Sequence, residues 1–174
     1  MVIFEAVGRQ SIRGTEIPHV LESAGASEFV FDGQTQSKED LLSTSLKDRH
    51  AVWMRWFENE IEARYEATRG GLEIIADILQ QGFEDPKRFG FAFAYIFGEG
   101  CELKPKPYAI ARNQKEHLGG FLRQLTAEMG LQHPDIAASA AVFVIERTIE
   151  RTLTTGSPKE AQAARLLFRR LHHA

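Results

Sequence analysis

Cysteine is nearly missing from this chain: Cys101 is the one thiol in 174 residues, so no disulfide can close within it. Long apolar runs are missing as well. No stretch approaches the ~20 residues needed to span a bilayer, and the N-terminus lacks the basic region and hydrophobic stretch of a secretory signal. Basic charge is in deficit, with 21 Lys and Arg against 24 Asp and Glu for a net charge of −3. Such a balance gives no general attraction to nucleic acid or to an anionic membrane, so any contact of that kind has to be local. A cytoplasmic protein without a membrane partner is the expectation. With 43% hydrophobic residues the chain is long enough to bury a core, either as one unit or as a small head sharing the core of a larger body.

Catalytic patterns are equally scarce. His19, His50, His117 and His133 are scattered, His172 and His173 sit at the end of the chain, and none has a zinc-like partner set in sequence. The stretch GEGC at residues 98–101 lacks the following glycine and the preceding strand of a phosphate-binding loop. Cys101 reads first as a small buried hydrophobe and only second as a reactive thiol. Glu146, Arg147, Glu150 and Arg151 stand at helical spacing and read as a charge ladder. No catalytic residue, cofactor or metal site is therefore expected.

What the chain does have is helical periodicity. Thr15 can cap a first helix with Glu16 and Pro18 in its first turn, and Gly25 supplies its stop. Ser27 can cap a short second element ending at Asp32 and Gly33, and Ser37 opens a third helix with Glu39 and Asp40 in its first turn. From there to about Thr68 neither proline nor glycine interrupts the chain, which predicts one helix of roughly 45 Å at about 1.5 Å per residue, stopped by Gly70 and Gly71. Leu72, Ile74, Ile75, Ile78 and Leu79 mark the next helix, ended by Gly82 and the turn at residues 84–86. Residues 88–101 alternate aromatics in a strand-like way, yet read as helix because nothing else in the chain offers a partner strand. The prolines of LKPKP, residues 103–107, predict a loop before a helix over 108–129 with Gly119 and Gly120 at its middle, where they suit close packing or a kink. Two last helices are expected over 135–153 and, capped by Ser157 with Pro158 following, over 157–171.

TEIPHVLESAGAS followed by SKEDLL resembles the helix, glycine turn and long-helix start of the DNA-binding head of the TetR family of bacterial regulators. The closing pair, DIAASAAVFVIERTIERTLTTGSPKEAQAARLLFRRL, is similar to that family's last two helices. The resemblance implies an all-α fold with an atypical, shortened helix-turn-helix head at residues 1–45 and a helical ligand-binding and dimerisation body at 46–174. A transcriptional regulator sensing a small apolar ligand is the implied function. The DNA-facing positions it carries over are Thr15, Ser27, Glu28, Phe29, Val30, Asp32, Gln34 and Lys38. It also implies a pocket among Trp53, Trp56, Phe57, Phe93, Phe97, Cys101, His117, Phe121 and Phe143, although aromatics at helical spacing equally suit a core. Arg112, Asn113 and Gln114 are further polar candidates there. A homodimer through Ala140, Val144, Ile145, Ala161, Ala164, Phe168 and Leu171 is implied as well; the alternative is a monomer that buries both apolar faces internally.

The head departs from the family where DNA would be read. Glu28 and Asp32 stand where basic, polar or aromatic side chains usually meet phosphates. Up to Leu42 the basic residues are Arg9, Arg13 and Lys38, against Glu5, Glu16, Glu22, Glu28, Asp32, Glu39 and Asp40, a net of −4. An acidic head predicts weak operator binding, because phosphate neutralisation supplies most of the affinity. Before the helix capped by Thr15, Met1 to Gln10 reads as the short remnant of an earlier helix that lacks the family's basic arm, so either the arm has been lost or Met1 is an internal start. Two readings follow: a regulator, or a degenerate relative that keeps dimer and pocket without operator recognition.

Overall fold

The computed structural model describes residues 38–84 and 105–173, all of them helices and the turns that join them. The expected helices before Ser37 and over residues 88–101 lie outside the described residues.

Among the described residues five helices form: α1 (Lys38–Thr68), α2 (Ile74–Glu84), α3 (Pro105–Glu128), α4 (Pro134–Thr155) and α5 (Glu160–His172). Their pairing is cyclic. α1 packs on α3, α3 on α4, α4 on α5, α5 on α2, and α2 returns to α1, so every helix has two flanking partners and one face toward a shared interior. That interior takes Met54, Phe57 and Ile61 from α1, Leu118, Leu122 and Leu125 from α3, and Ala141 and Ile145 from α4, with Ile75 and Ile78 from α2 and Phe168 from α5. The spacing of each set is three, four or seven residues, the period that puts side chains on one helical face. Phe57, Ile78, Leu118, Leu122, Ile145 and Phe168 are completely buried. Each such side chain contributes about 1.5–3 kcal/mol by leaving water.

The boundaries follow local chemistry. α1 runs unbroken for 31 residues, across residue 45, and ends at Thr68. The left-handed turn that stops it falls on Arg69, φ 49°, one residue before the expected glycine pair. Arg69 places its guanidinium over the Tyr65 ring, 5.4 Å from the centroid, and its N–H bonds Tyr65 O at 2.8 Å. Gly71 then passes beneath the end of α5, where a Cβ would come within 2.8 Å of His172 Cγ.

Two expected breakers lie inside helices. Gly82 does not end α2, which continues to Glu84; it lies against Trp56 of α1, and a Cβ there would stand 2.9 Å from Trp56 Cη2. LKPKP is not wholly loop either, since α3 begins at Pro105 and includes Pro107. The first N–H groups of a helix have no intrahelical acceptor, so prolines in the first turn remove no hydrogen bond. Gly119 faces α4, with Val142 Cγ2 4.0 Å from where its Cβ would be, which brings α3 and α4 close at their middles.

α4 closes on Gly156, left-handed at φ 67°, whose N–H returns to Thr152 O at 2.9 Å. α5 starts later than the expected Ser157 cap: Ser157 Oγ accepts the Lys159 N–H at 3.3 Å, and regular helix begins at Glu160. Between α3 and α4 the buried Thr126 hydroxyl lies 2.9 Å from both Leu122 O and Pro134 O, fixing the end of one helix to the start of the next. Ion pairs join neighbours around the ring: Lys115 of α3 with Glu146 of α4, Arg151 of α4 with Glu160 of α5, and Arg165 of α5 with Asp77 of α2. The predicted ladder on α4 is thus divided. Arg147 pairs with Glu150 at 2.6 Å, whereas Glu146 and Arg151 reach to adjacent helices.

Candidate functional site

Of the residues that the family resemblance assigned to DNA, Thr15, Ser27, Glu28, Phe29, Val30, Asp32 and Gln34 lie outside the described residues. Lys38 is the first residue of α1. Of the pocket set, Phe93, Phe97 and Cys101 also lie outside.

The remaining aromatics do come together. The Trp53 ring stacks on Phe57 at 4.7 Å and 13°, and Phe57 meets Phe121 edge to face at 6.2 Å and 67°. Phe57 is fully buried, while Trp53, Trp56 and Phe121 are half-buried against the core. Offset and edge-on pairs of this kind contribute about 0.5–1.5 kcal/mol beyond the area they bury. The Phe57–Phe121 pair joins the middle of α1 to α3. Gln114, about two turns before this contact on α3, is 4% exposed and is one of four buried polar residues among those described. Arg112 pairs instead with Glu116 at the surface, and Asn113 is exposed.

Phe143 does not belong to this cluster. It stands 70% exposed on the outer side of α4, because the inner side of that helix is taken by Ala137, Ala138, Ala141, Ile145 and Ile149.

His117 is likewise outside the aromatic cluster, and its neighbours are polar. His117 Nδ1 stands 3.2 Å from His50 Nε2 of α1, with the two rings at 69°. His117 Nε2 stands 3.5 Å from Glu58 Oε1, two turns further along α1. Burial, then the neighbouring His117, lowers the His50 pKa to about 4, so this imidazole is neutral at physiological pH. The two histidines are 67 residues apart, and their separation in sequence concealed the pairing. One signal was available: His50 precedes Met54, Phe57 and Ile61 by four, seven and eleven residues, which puts it on the packed side of α1. Among the described residues no group of three or more His, Cys, Asp or Glu gathers in a metal-binding arrangement.

The residues expected at a dimer interface divide by face. Ile145, Ala161, Ala164 and Phe168 are between 0% and 3% exposed within the single chain, as the inner sides of α4 and α5. They are occupied by the chain's own core and do not form its outer surface. Ala140, Val144 and Leu171 are half-buried. The apolar residues that α4 and α5 do present outward are Ile136 and Phe143, 68% and 70% exposed, with Leu166 and Leu167, 63% and 52% exposed. Ile136, Ala140 and Phe143 follow one another at four and three residues and so share a stripe of α4.

No described helix is long and apolar enough to cross a membrane. No protein-family model, curated protein or solved structure matches the chain.

Proposed function

We propose that this chain is a TetR-like, ligand-responsive homodimer, sensing a small apolar compound and binding operator DNA weakly as its sequence stands. The observation that carries the reading is α1. Its first residues follow the segment that resembles a DNA-binding head, and its second half is sealed into the core through Met54, Phe57 and Ile61. A single helix anchored in this way transmits a change around Trp53, Trp56 and Phe121 to whatever its N-terminal end carries. Coupling of this kind requires that the ligand favour one of two arrangements of α1 over the other.

The outward apolar residues of α4 and α5 supply the second element of the proposal. Four large apolar side chains exposed on two helices that pack together suit a two-fold contact with another copy, closing a bundle of two helices from each chain. The acidic head favours a second reading, in which dimer and ligand response are kept and operator recognition is lost. Both readings give the chain a binding role and no catalytic one.

A panel of small apolar compounds tests the shared part. Binding near α1 shifts the Trp53 and Trp56 emission and raises the melting temperature; a broad panel that does neither removes the sensing role. Selection from a random duplex pool then separates the readings. An enriched sequence bound far more tightly than the non-specific range of roughly 10⁻⁴–10⁻⁶ M at physiological salt supports a working regulator, and the absence of enrichment supports the second reading.

A further inference from the structure

The contact between α1 and α3 at His50 and His117 joins two imidazoles from distant parts of the chain, with a carboxylate behind one of them. Among the described residues it is the one place where the nitrogens of two histidines on different helices face each other. The separation is informative. Two imidazole nitrogens bound to one tetrahedral zinc ion at about 2.05 Å each stand about 3.3 Å apart. The observed 3.2 Å between His50 Nε2 and His117 Nδ1 is close to that value, with the two ring planes 69° apart.

The third group sets the tautomer. Glu58 Oε1 lies 3.5 Å from His117 Nε2, the nitrogen pointing away from His50, and a carboxylate at that distance favours a proton on that nitrogen. With its proton on Nε2, a neutral His117 has its Nδ1 lone pair toward His50. A histidine that donates its outer N–H to a carboxylate while the other nitrogen faces a cation is the recurrent support of metal-bound imidazole. Without a metal, His50 Nε2–H donates to His117 Nδ1. With a metal, His50 carries its proton on Nδ1 and offers Nε2, a change between two neutral tautomers. Access is open, since the His117 side chain is 54% exposed.

We propose that His50 and His117 together form a two-histidine seat for a divalent ion of the zinc, nickel or copper class, with Glu58 holding His117 in its ligating tautomer. Water completes the coordination. Two imidazoles without thiolate suit these ions over magnesium or calcium, and copper should bind most tightly of the three. An ion here ties α1 to α3 eight residues before the Glu58 position, on the helix whose movement the proposed function relies upon; the site itself stands independently of that function.

The test uses the full 174-residue chain without an affinity tag, titrated with Zn²⁺ by calorimetry and with Cu²⁺ by electron paramagnetic resonance. The expected result is one ion per chain, with two imidazole nitrogens in the copper spectrum. His117→Ala and His50→Gln each weaken binding at least tenfold, and Glu58→Gln weakens it about tenfold or more, the usual effect of removing such a carboxylate. His117 is exposed, so its variant should fold; circular dichroism of all three variants establishes this. The His172 and His173 pair at the end of α5 is the competing seat, and replacing both with Ala should leave the affinity unchanged. Loss of binding in that tail variant, wild-type affinity in folded His117→Ala, or no binding at millimolar Zn²⁺ overturns the proposal.

Discussion

Gly82→Ala tests the packing of α1 on α2, because two opposing effects of similar size meet there. Alanine in a helix interior is favoured over glycine by about 0.8–1.0 kcal/mol, and by less in a final turn such as this one. Against it, the new Cβ would stand 2.9 Å from Trp56 Cη2 and 3.3 Å from Cζ3, closer than carbon atoms approach without displacement. The obstacle is a rigid indole packed against the core, not the end of a flexible chain, and overpacking of this sort costs about 1–3 kcal/mol. The clash should win, with a net loss of about 1 kcal/mol. For a chain of this length that lowers the melting temperature by about 2–4 °C. Trp56→Phe removes both obstructing atoms, so in that background Gly82→Ala should become neutral or slightly stabilising. Thermal melts of the four proteins, followed by circular dichroism, give a coupling of about 1–2 kcal/mol. If Gly82→Ala stabilises equally with and without the indole, the contact is not as described.

Two further perturbations have clear outcomes. Ala164→Glu places a carboxylate at a position 3% exposed and surrounded by the chain's own core, so it should cost about 3–5 kcal/mol and unfold the protein instead of merely separating two copies; a folded variant with an unchanged melting temperature would refute its inward placement. Acid should weaken the fold through His50: its folded pKa is lowered to about 4 from 6.5, so the unfolded chain binds the extra proton across that interval. Stability from this group is complete above pH 6.5 and is lost progressively as pH falls toward 4. In chelator, His50→Gln should flatten that part of the profile, and an unaltered slope would show that His50 is not the group responsible.

Much of the framework was legible in the sequence because it rests on local chemistry. The uninterrupted residues 38–68 form one helix, and the small and apolar residues of α4 and α5 lie at helical spacing as expected. Local rules failed where tertiary contact decided the outcome. Gly82 looked like a stop but serves to admit Trp56, and Pro105 and Pro107 looked like a loop but occupy a first turn where their missing N–H groups cost nothing. Periodicity also identifies an apolar face without saying what covers it. Ile145, Ala161, Ala164 and Phe168 share an apolar face that covers the chain's own core and not a second chain, and Phe143 faces outward and not into a pocket. The aromatic contact of Trp53, Phe57 and Phe121 was within reach of composition and spacing. The approach of His50 to His117 was not, because it depends on α1 lying beside α3.

Both functional readings require two copies of the chain, joined through the outer faces of α4 and α5. Sedimentation equilibrium measures this directly, on the unmodified chain and on the double variant Phe143→Glu with Leu167→Glu. The expected masses are twice 19.6 kDa for the first and 19.6 kDa for the second, with the same melting temperature at low concentration because both side chains are more than half exposed. A monomeric unmodified chain, or a double variant that remains dimeric, would contradict the proposed assembly.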